Sequence, residues 1–391
     1  MPSDFGLFDG IYGRGEAAAQ LSDRAWVQAM LDVEAALARA NAAEGLIPPG
    51  AARSIVAACR AAGFDIEELG RETARHATPV VGLVAALRVA VPETACTYVH
   101  VGATSQDVVD TALMLIARRA LEPLLDDLRR AADATARLAA AHRASPMIGR
   151  TLLQQALPAT FGLRAAGWLV ALDEGRGRLR HVRDHELAVQ MGGAVGARGP
   201  AIAARVAADL ELAEPVLPWQ AIRLRPVALA AALGAMAGVL GKIARDVTLL
   251  AQQEVGEARE GGDSDPAHPE GGSSAIAHKR NPVAAVSVLA CVKRTPGLVA
   301  GALACMEQEH ERAAGGWQAE WGIHTDLLRL TASAAAWARK LLEQLQIDPD
   351  RMRVNLATSP AAQAPRPDGA EELVERALAA HWTMSKSEEE R

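Results

Sequence analysis

Two short stretches of the chain hold residue types that could do chemistry. The first is Gly271-Gly272-Ser273-Ser274-Ala275-Ile276-Ala277-His278-Lys279-Arg280-Asn281-Pro282. It sets hydroxyls, an ammonium group and an amide on a backbone loosened by paired glycines. Upstream lies Glu260-Gly261-Gly262-Asp263-Ser264-Asp265-Pro266, too rich in Gly, Asp and Pro to stay helical. A polar loop thus interrupts two apolar helical patterns, and loops on rigid scaffolds are where binding and catalysis concentrate. The second stretch is His100-Val101-Gly102-Ala103-Thr104-Ser105-Gln106-Asp107, just ahead of a long helical pattern. Free N–H groups and the dipole at a helix start attract anions. Thr104 and Ser105 are therefore candidate anion-binding residues, with an ordinary helix cap as the competing reading.

The elements that must position these stretches read as helices. Half of the 391 residues are apolar and only 3% are aromatic. Ala and Leu dominate, which favours helices over strands. The chain is too long for one compact core and suits two or three packed units. Short helices are expected over 24–44 and 51–62, with an interruption around Arg75-His76-Ala77-Thr78-Pro79. Five long ones are expected over 106–142, 152–186, 227–258, 282–311 and 323–345. Pro123 should kink the first and Pro296 the fourth. Helices that cannot each bury their surfaces alone predict a bundle, and surplus apolar surface predicts contacts between copies. Past Arg353 the pattern fades; only 370–381 reads as helical, and the tail 385–391 as disordered. The resulting division is an N-terminal helical domain at 1–104, a central bundle at 105–347 carrying a loop at 259–283, and a short C-terminal segment at 348–391.

Composition excludes several classes. The formal net charge of -6 gives no basic field for nucleic acid. A polyanionic ligand must be met by local arginines. Cys59, Cys96, Cys291 and Cys305 are isolated, which predicts reduced thiols and neither a disulfide nor a metal site. The first residues lack the pattern of a signal peptide. The uncharged run from Pro226 to Gly241 is shorter than the roughly 18 to 20 residues a membrane span needs. A cytoplasmic protein without membrane attachment is expected.

The 271–282 block resembles the signature loop of the fumarase/aspartase superfamily, commonly Gly-Ser-Ser-x-Met-Pro-x-Lys-x-Asn-Pro, with Ile276-Ala277 in place of Met-Pro. The 100–107 stretch resembles the loop before that family's first long bundle helix. The resemblance covers about residues 5–356. It implies an all-α, fumarase/aspartase-like fold with a long central five-helix bundle, a small N-terminal helical domain and a truncated C-terminal domain. It further implies a homotetramer without cofactor or metal, whose active sites draw loops from three subunits.

Within the superfamily, Gly149-Arg150-Thr151-Leu152-Leu153-Gln154-Gln155 falls where several members carry a Thr-His pair whose histidine is a general acid. Leu152 stands there, and leucine cannot transfer a proton. The resemblance is closest to the superfamily's cycloisomerases, which lack that histidine. The runs 218–225 and 306–321 and the Leu7-Phe8-Asp9 start agree. These enzymes close a tricarboxylate diene to a lactone. The resemblance implies Ser273 as the proton-transfer group, with Lys279 and Asn281 on the carboxylate that becomes the aci-acid. Thr104 and Ser105 would take a second carboxylate, and Arg150, Gln154, Arg223 and Arg312 are further substrate-binding candidates. His100, His278 and His310 are secondary ones; Glu254 and Glu257 could orient a site group, and Trp317 and Trp321 read as packing. Leu224 replaces an aspartate that often follows the arginine. The nearest rival is a lyase releasing fumarate from a substituted succinate. A non-catalytic scaffold of the same fold is the reading from another class, and Ser273, Lys279 and Asn281 argue against it, since packing does not demand them.

Overall fold

A computed structural model of the chain describes residues 6–261, 270–276, 278–365 and 368–389. Residues 262–269 and Ala277 of the loop, Arg366 and Pro367, and the last two residues lie outside the described residues.

The N-terminal part holds α1 (Asp9–Tyr12), α2 (Asp23–Ala43), α3 (Pro49–Ala58), α4 (Ile66–His76), α5 (Pro79–Ala90) and α6 (Glu93–Cys96). Ser22 caps α2 by accepting the Ala25 N–H at 3.2 Å. The break between α4 and α5 falls at the expected place: Ala77 takes a left-handed φ of 53° and Pro79 opens the next helix. The core follows as α7 (Ser105–Ala141), the hairpin β1 (Pro146–Thr151) and β2 (Gln154–Thr160), and α8 (Phe161–His181). Then come α9 (Pro200–Leu210), α10 (Leu224–Leu250), β3 (Ala258–Glu260), α11 (Val283–Val292), α12 (Thr295–Ala304), α13 (Gly316–Gln344) and β4 (Leu345–Ile347). The chain continues through α14 (Pro349–Ala357) and α15 (Ala370–Glu389).

Helix α7 packs on α8 and α13, while α10 packs on α8, α11, α12 and α13. This is the expected five-rod bundle, with the fourth rod divided. The division lies at Lys293 and Arg294, because Pro296 falls in the first turn of α12, where a missing N–H costs nothing. Pro123 sits inside α7 without ending it.

The largest departure is at 152–160, read as helix and found as strand. Pro158 cannot donate inside a helix, and Leu152 and Leu153 both adopt left-handed φ, 51° and 66°. They form the two-residue turn between the paired Thr151 and Gln154. Such turns demand positive φ at both positions and normally carry Asn-Gly. Here two leucines occupy them, 96% and 76% exposed.

Helix α10 also stops before the expected 258, at Leu250, and the chain then turns, with Gly256 left-handed at φ 62°. Helix α15 runs beyond the expected 381 to Glu389, packing on α8 and α7. Its acidic first turn, with Glu371 and Glu372, suits the helix dipole. The run from Leu224 to Leu250 and that from Val283 to Ala304 are each long and apolar enough to cross a membrane. Both are elements of the bundle, yet only 50% and 33% of their most apolar stretches are buried inside the protomer.

Candidate active site

The structure gathers the candidate residues into three groups. The first lies at the start of α7. Asp107, wholly buried, accepts N–H groups from Gly192 (3.1 Å), Gly193 (2.8 Å) and Thr104 (3.1 Å) and the Gln190 side-chain amide (3.1 Å). Burial still lifts its pKa above the usual carboxylate range. This carboxylate stitches the 190–193 segment to the helix start and closes a capping box with Thr104, whose side chain accepts the Asp107 N–H, so Thr104 serves as the helix cap here. Thr104 and Ser105 are both half-buried there. His100, at a left-handed φ of 63°, sets its Nδ1 2.5 Å from the Oε1 of fully buried Glu34. His310 is exposed, with a φ of 48°.

Arg223 and Arg312 belong to this group but differ from expectation. Arg223 is 1% exposed. Its guanidinium meets Asp110 at 2.6 and 3.0 Å and Glu320 at 2.6 and 3.1 Å. Trp317 and Gln106 also donate to Asp110, each at 3.0 Å, and Gln308 donates to Glu320 at 2.9 Å. Burial works to lower the Arg223 pKa, and the two carboxylates override it and raise it. With every nitrogen committed, Arg223 ties α7, α10 and α13 together. Arg312 donates to Ala194 O (2.9 Å), to Gln106 Oε1 (2.6 Å) and to Gly193 O. It clamps the loop beside the helix start.

The second group is the 271–282 loop. Its base is closed by Gly271, whose carbonyl accepts the Asn281 N–H at 2.8 Å and its side-chain amide at 3.1 Å. A Cβ at Gly271 would stand 2.4 Å from Asn281 O. Asn281 thus spends one of its two side-chain amide hydrogens on the loop itself. The roots are held by β3, which pairs with β4, and by Glu260, whose carboxylate accepts the Ala284 (3.0 Å) and Ala285 (2.8 Å) N–H groups at the start of α11. Ser273 Oγ accepts two backbone N–H groups, from Ala275 (3.3 Å) and Ile276 (3.2 Å). Lys279 and His278 are exposed, and Lys279 has no side-chain partner among the described residues.

The third group is the β1–β2 hairpin. Arg150 forms a double contact with buried Glu257, both nitrogens at 2.9 Å, and Asn355 of α14 donates to the same carboxylate at 2.8 Å. This pairing occupies Arg150 and makes it an anchor of the hairpin, with Glu257 as its buried partner. Gln154 is exposed beside the leucine turn. Among the described residues no hydrogen bond or ion pair joins a site residue of one group to one of another. No trio of His, Cys, Asp or Glu fit to hold a metal is found among them either.

Sequence reasoning missed Arg198 and Glu34. Arg198 donates to Val101 O at 3.0 Å and Asn41 Oδ1 at 2.6 Å, beside the α7 start. It has no motif around it, and Glu34 sits in an ordinary helical pattern, so neither carried a local signal.

A bundle of long helices with a Gly-Ser-Ser…Lys…Asn loop defines the lyase class, and the chain belongs to this family: a model of it, described as Lyase, matches residues 14–297. It is an enzyme of the fumarase/aspartase superfamily. Among its relatives is the 3-carboxy-cis,cis-muconate cycloisomerase of Bradyrhizobium diazoefficiens, 46% identical over 348 residues, covering 86% of this chain and 76% of that protein. The enzyme of the same name from Pseudomonas aeruginosa is 45% identical over 359 residues, covering 90% and 77%. A nitrosuccinate lyase of Streptomyces davaonensis is 41% identical over 370 residues, covering 90% and 77%. The crystal structure of 3-carboxy-cis,cis-muconate lactonizing enzyme from Pseudomonas putida superposes with a TM-score of 0.84 at 38% identity, covering 97% of this chain and 88% of that one.

Proposed function

We propose that this enzyme closes 3-carboxy-cis,cis-muconate to the carboxymuconolactone, and that Ser273 moves the proton. The observation that carries this reading is the pair of backbone N–H groups on Ser273 Oγ. A serine hydroxyl is a poor acid. Hydrogen bonds to a charged oxygen are worth about 1.5–3 kcal/mol each, so two of them favour the alkoxide left when the proton departs. Lys279, on the same loop and without a partner among the described residues, supplies a cation for that alkoxide or for the adjacent carboxylate.

One substrate carboxylate adds to an alkene carbon and forms the C–O bond. The electron pair moves into the neighbouring carboxylate, which becomes an aci-acid dianion held by Lys279 and Asn281. The Ser273 hydroxyl then gives its proton to the carbon beside that carboxylate, and the alkoxide left behind takes a proton from solvent to restore the enzyme. A second carboxylate rests on the N–H groups and hydroxyls at Thr104 and Ser105. Nucleophile and alkene share one molecule, so a site that folds the diene supplies much of the acceleration. Leu152, where a proton-donating histidine would stand, fits a reaction that needs a single proton carrier.

The assembly is a cytoplasmic homotetramer with shared sites. Three features support it: three unconnected groups of site residues, bundle helices left half-covered, and a leucine turn in solvent. A second reading, elimination of a small group from a substituted succinate, is favoured by the identity to the nitrosuccinate lyase. Offering purified protein 3-carboxymuconate and following loss of diene absorbance decides between them. Decay of the diene supports the proposal; an inert diene alongside fumarate release from a substituted succinate supports the second reading.

A further inference from the structure

The start of α7 poses a charge problem. Asp107, Asp110 and Glu320 are all buried there, and they face Arg223 and Arg312. Arg223 is spent on two of these carboxylates, and Arg312 gives a donor from each of its three nitrogens to the surrounding chain. A substrate that brings a further carboxylate beside the one on Thr104 and Ser105 would meet more negative than available positive charge. Arg198 corrects the balance. Its guanidinium lies across Gly102: a Cβ at Gly102 would stand 2.5 Å from Nη1, 2.7 Å from Cζ and 2.9 Å from Nη2. Gly102 also has a left-handed φ of 75°, so the loop accepts this close approach only with glycine.

The placement is braced from both sides. Arg198 N–H bonds Gly192 O at 3.0 Å, closing the 192–198 loop whose Gly192 and Gly193 N–H groups hold Asp107. Two of the five guanidinium N–H donors go to Val101 O and Asn41 Oδ1. The other three have no partner among the described residues, and the side chain is half-buried.

We infer that Arg198 is a specificity-determining residue that binds a carboxylate of the substrate beside Thr104 and Ser105 and selects for tricarboxylates over dicarboxylates. This deepens the proposed function and rests on it. A guanidinium with three donors unpaired among the described residues suits a carboxylate, whose oxygens accept from several of them. Gly102, Val101 and Asn41 hold the group in place, so little side-chain freedom is lost on binding.

The test compares the intact wild-type enzyme with Arg198→Met and Arg198→Lys. Binding of propane-1,2,3-tricarboxylate and of succinate is measured by calorimetry, and KM and kcat are measured with 3-carboxymuconate. The expected result is a wild-type preference for the tricarboxylate. Arg198→Met should weaken its binding about 10- to 100-fold and leave succinate within about threefold, with KM rising far more than kcat falls. Arg198→Lys should recover part of the tricarboxylate preference, because it restores the charge without the fork. Equal losses for both ligands, or a fall in kcat with KM unchanged, would mark Arg198 as scaffold and overturn the inference. A wild-type enzyme indifferent to the third carboxylate would overturn it too. If Arg198→Met does not fold, the lysine variant carries the test, and full wild-type affinity in it would contradict the guanidinium contact. The calorimetric arm stays readable even if 3-carboxymuconate proves inert, so failure of the reaction assignment and failure of this inference are distinguishable.

Discussion

Removing the Arg223 guanidinium is the most severe single change the fold predicts. In Arg223→Met, Asp110 and Glu320 each remain about 1% exposed and lose their shared cation. Asp110 keeps donors from Gln106 and Trp317, and Glu320 keeps only Gln308. Breaking a buried pair by deleting one partner costs about 3–5 kcal/mol. Two carboxylates are stranded here, but three neutral donors persist, so a loss inside that range is expected near pH 8. The loss should shrink as pH falls. Stranded buried carboxylates bind protons more readily folded than unfolded, so the folded variant gains stability on acidification. The triple change Arg223→Met, Asp110→Asn, Glu320→Gln removes all three charges and should recover most of the deficit. Urea unfolding followed by circular dichroism at pH 8 and pH 5.5, at one fixed protein concentration, measures this. A loss below about 1 kcal/mol at pH 8, particularly with a raised KM, would refute the structural assignment of Arg223 and return it to the substrate.

The docking of α15 should depend on pH through His381. Its ring is fully buried, with Nδ1 2.9 Å from Asp173 and Nε2 3.2 Å from Asp133; Arg176 pairs with Asp173 and Arg129 with Asp133. Burial acts to lower its pKa, and the two carboxylates outweigh this and raise it above the ordinary histidine value. Its contribution is therefore complete below about pH 6.5 and fades as pH climbs through the elevated folded value. Hydrogen exchange in α15, corrected for intrinsic rates, should quicken with rising pH in the wild type and lose that dependence in His381→Gln; protection that grows between pH 6 and 9 would contradict this. At the hairpin, replacing Leu152-Leu153 with Asn-Gly should relieve about 1–2 kcal/mol of left-handed strain per residue in the protomer while impairing assembly or turnover. Unchanged sedimentation and activity would mean that the leucine turn has no partner.

The bundle was readable from the sequence because long Ala/Leu periodicity reports helices directly. The signature loop was readable because its spacing is specific to one family. The hairpin was not: Leu152, Leu153 and Leu157 fit a helical pattern as well as a strand, and nothing local announces a left-handed turn made of leucines. The break in the fourth rod was one step from legible, since Pro296 was seen but was expected to bend the helix, whereas it starts a new one. The arginines divide for a different reason. Arg223 meets Asp110 and Glu320, and Arg150 meets Glu257, across roughly a hundred residues of chain. Local spacing cannot foresee such pairings, so cations that read as free for substrate proved to be spent on buried acids. Arg198 shows the converse, a side chain with no motif around it brought beside Gly102 by folding alone.

The central claim is that the Ser273 hydroxyl, held by the Ala275 and Ile276 N–H groups, carries the proton. The most direct measurement is turnover of 3-carboxymuconate by Ser273→Ala beside calorimetric binding of a non-reacting tricarboxylate to the same protein. The account predicts turnover lost by at least about a thousandfold, with binding within a few-fold of wild type. Near-normal turnover by the alanine variant would contradict it.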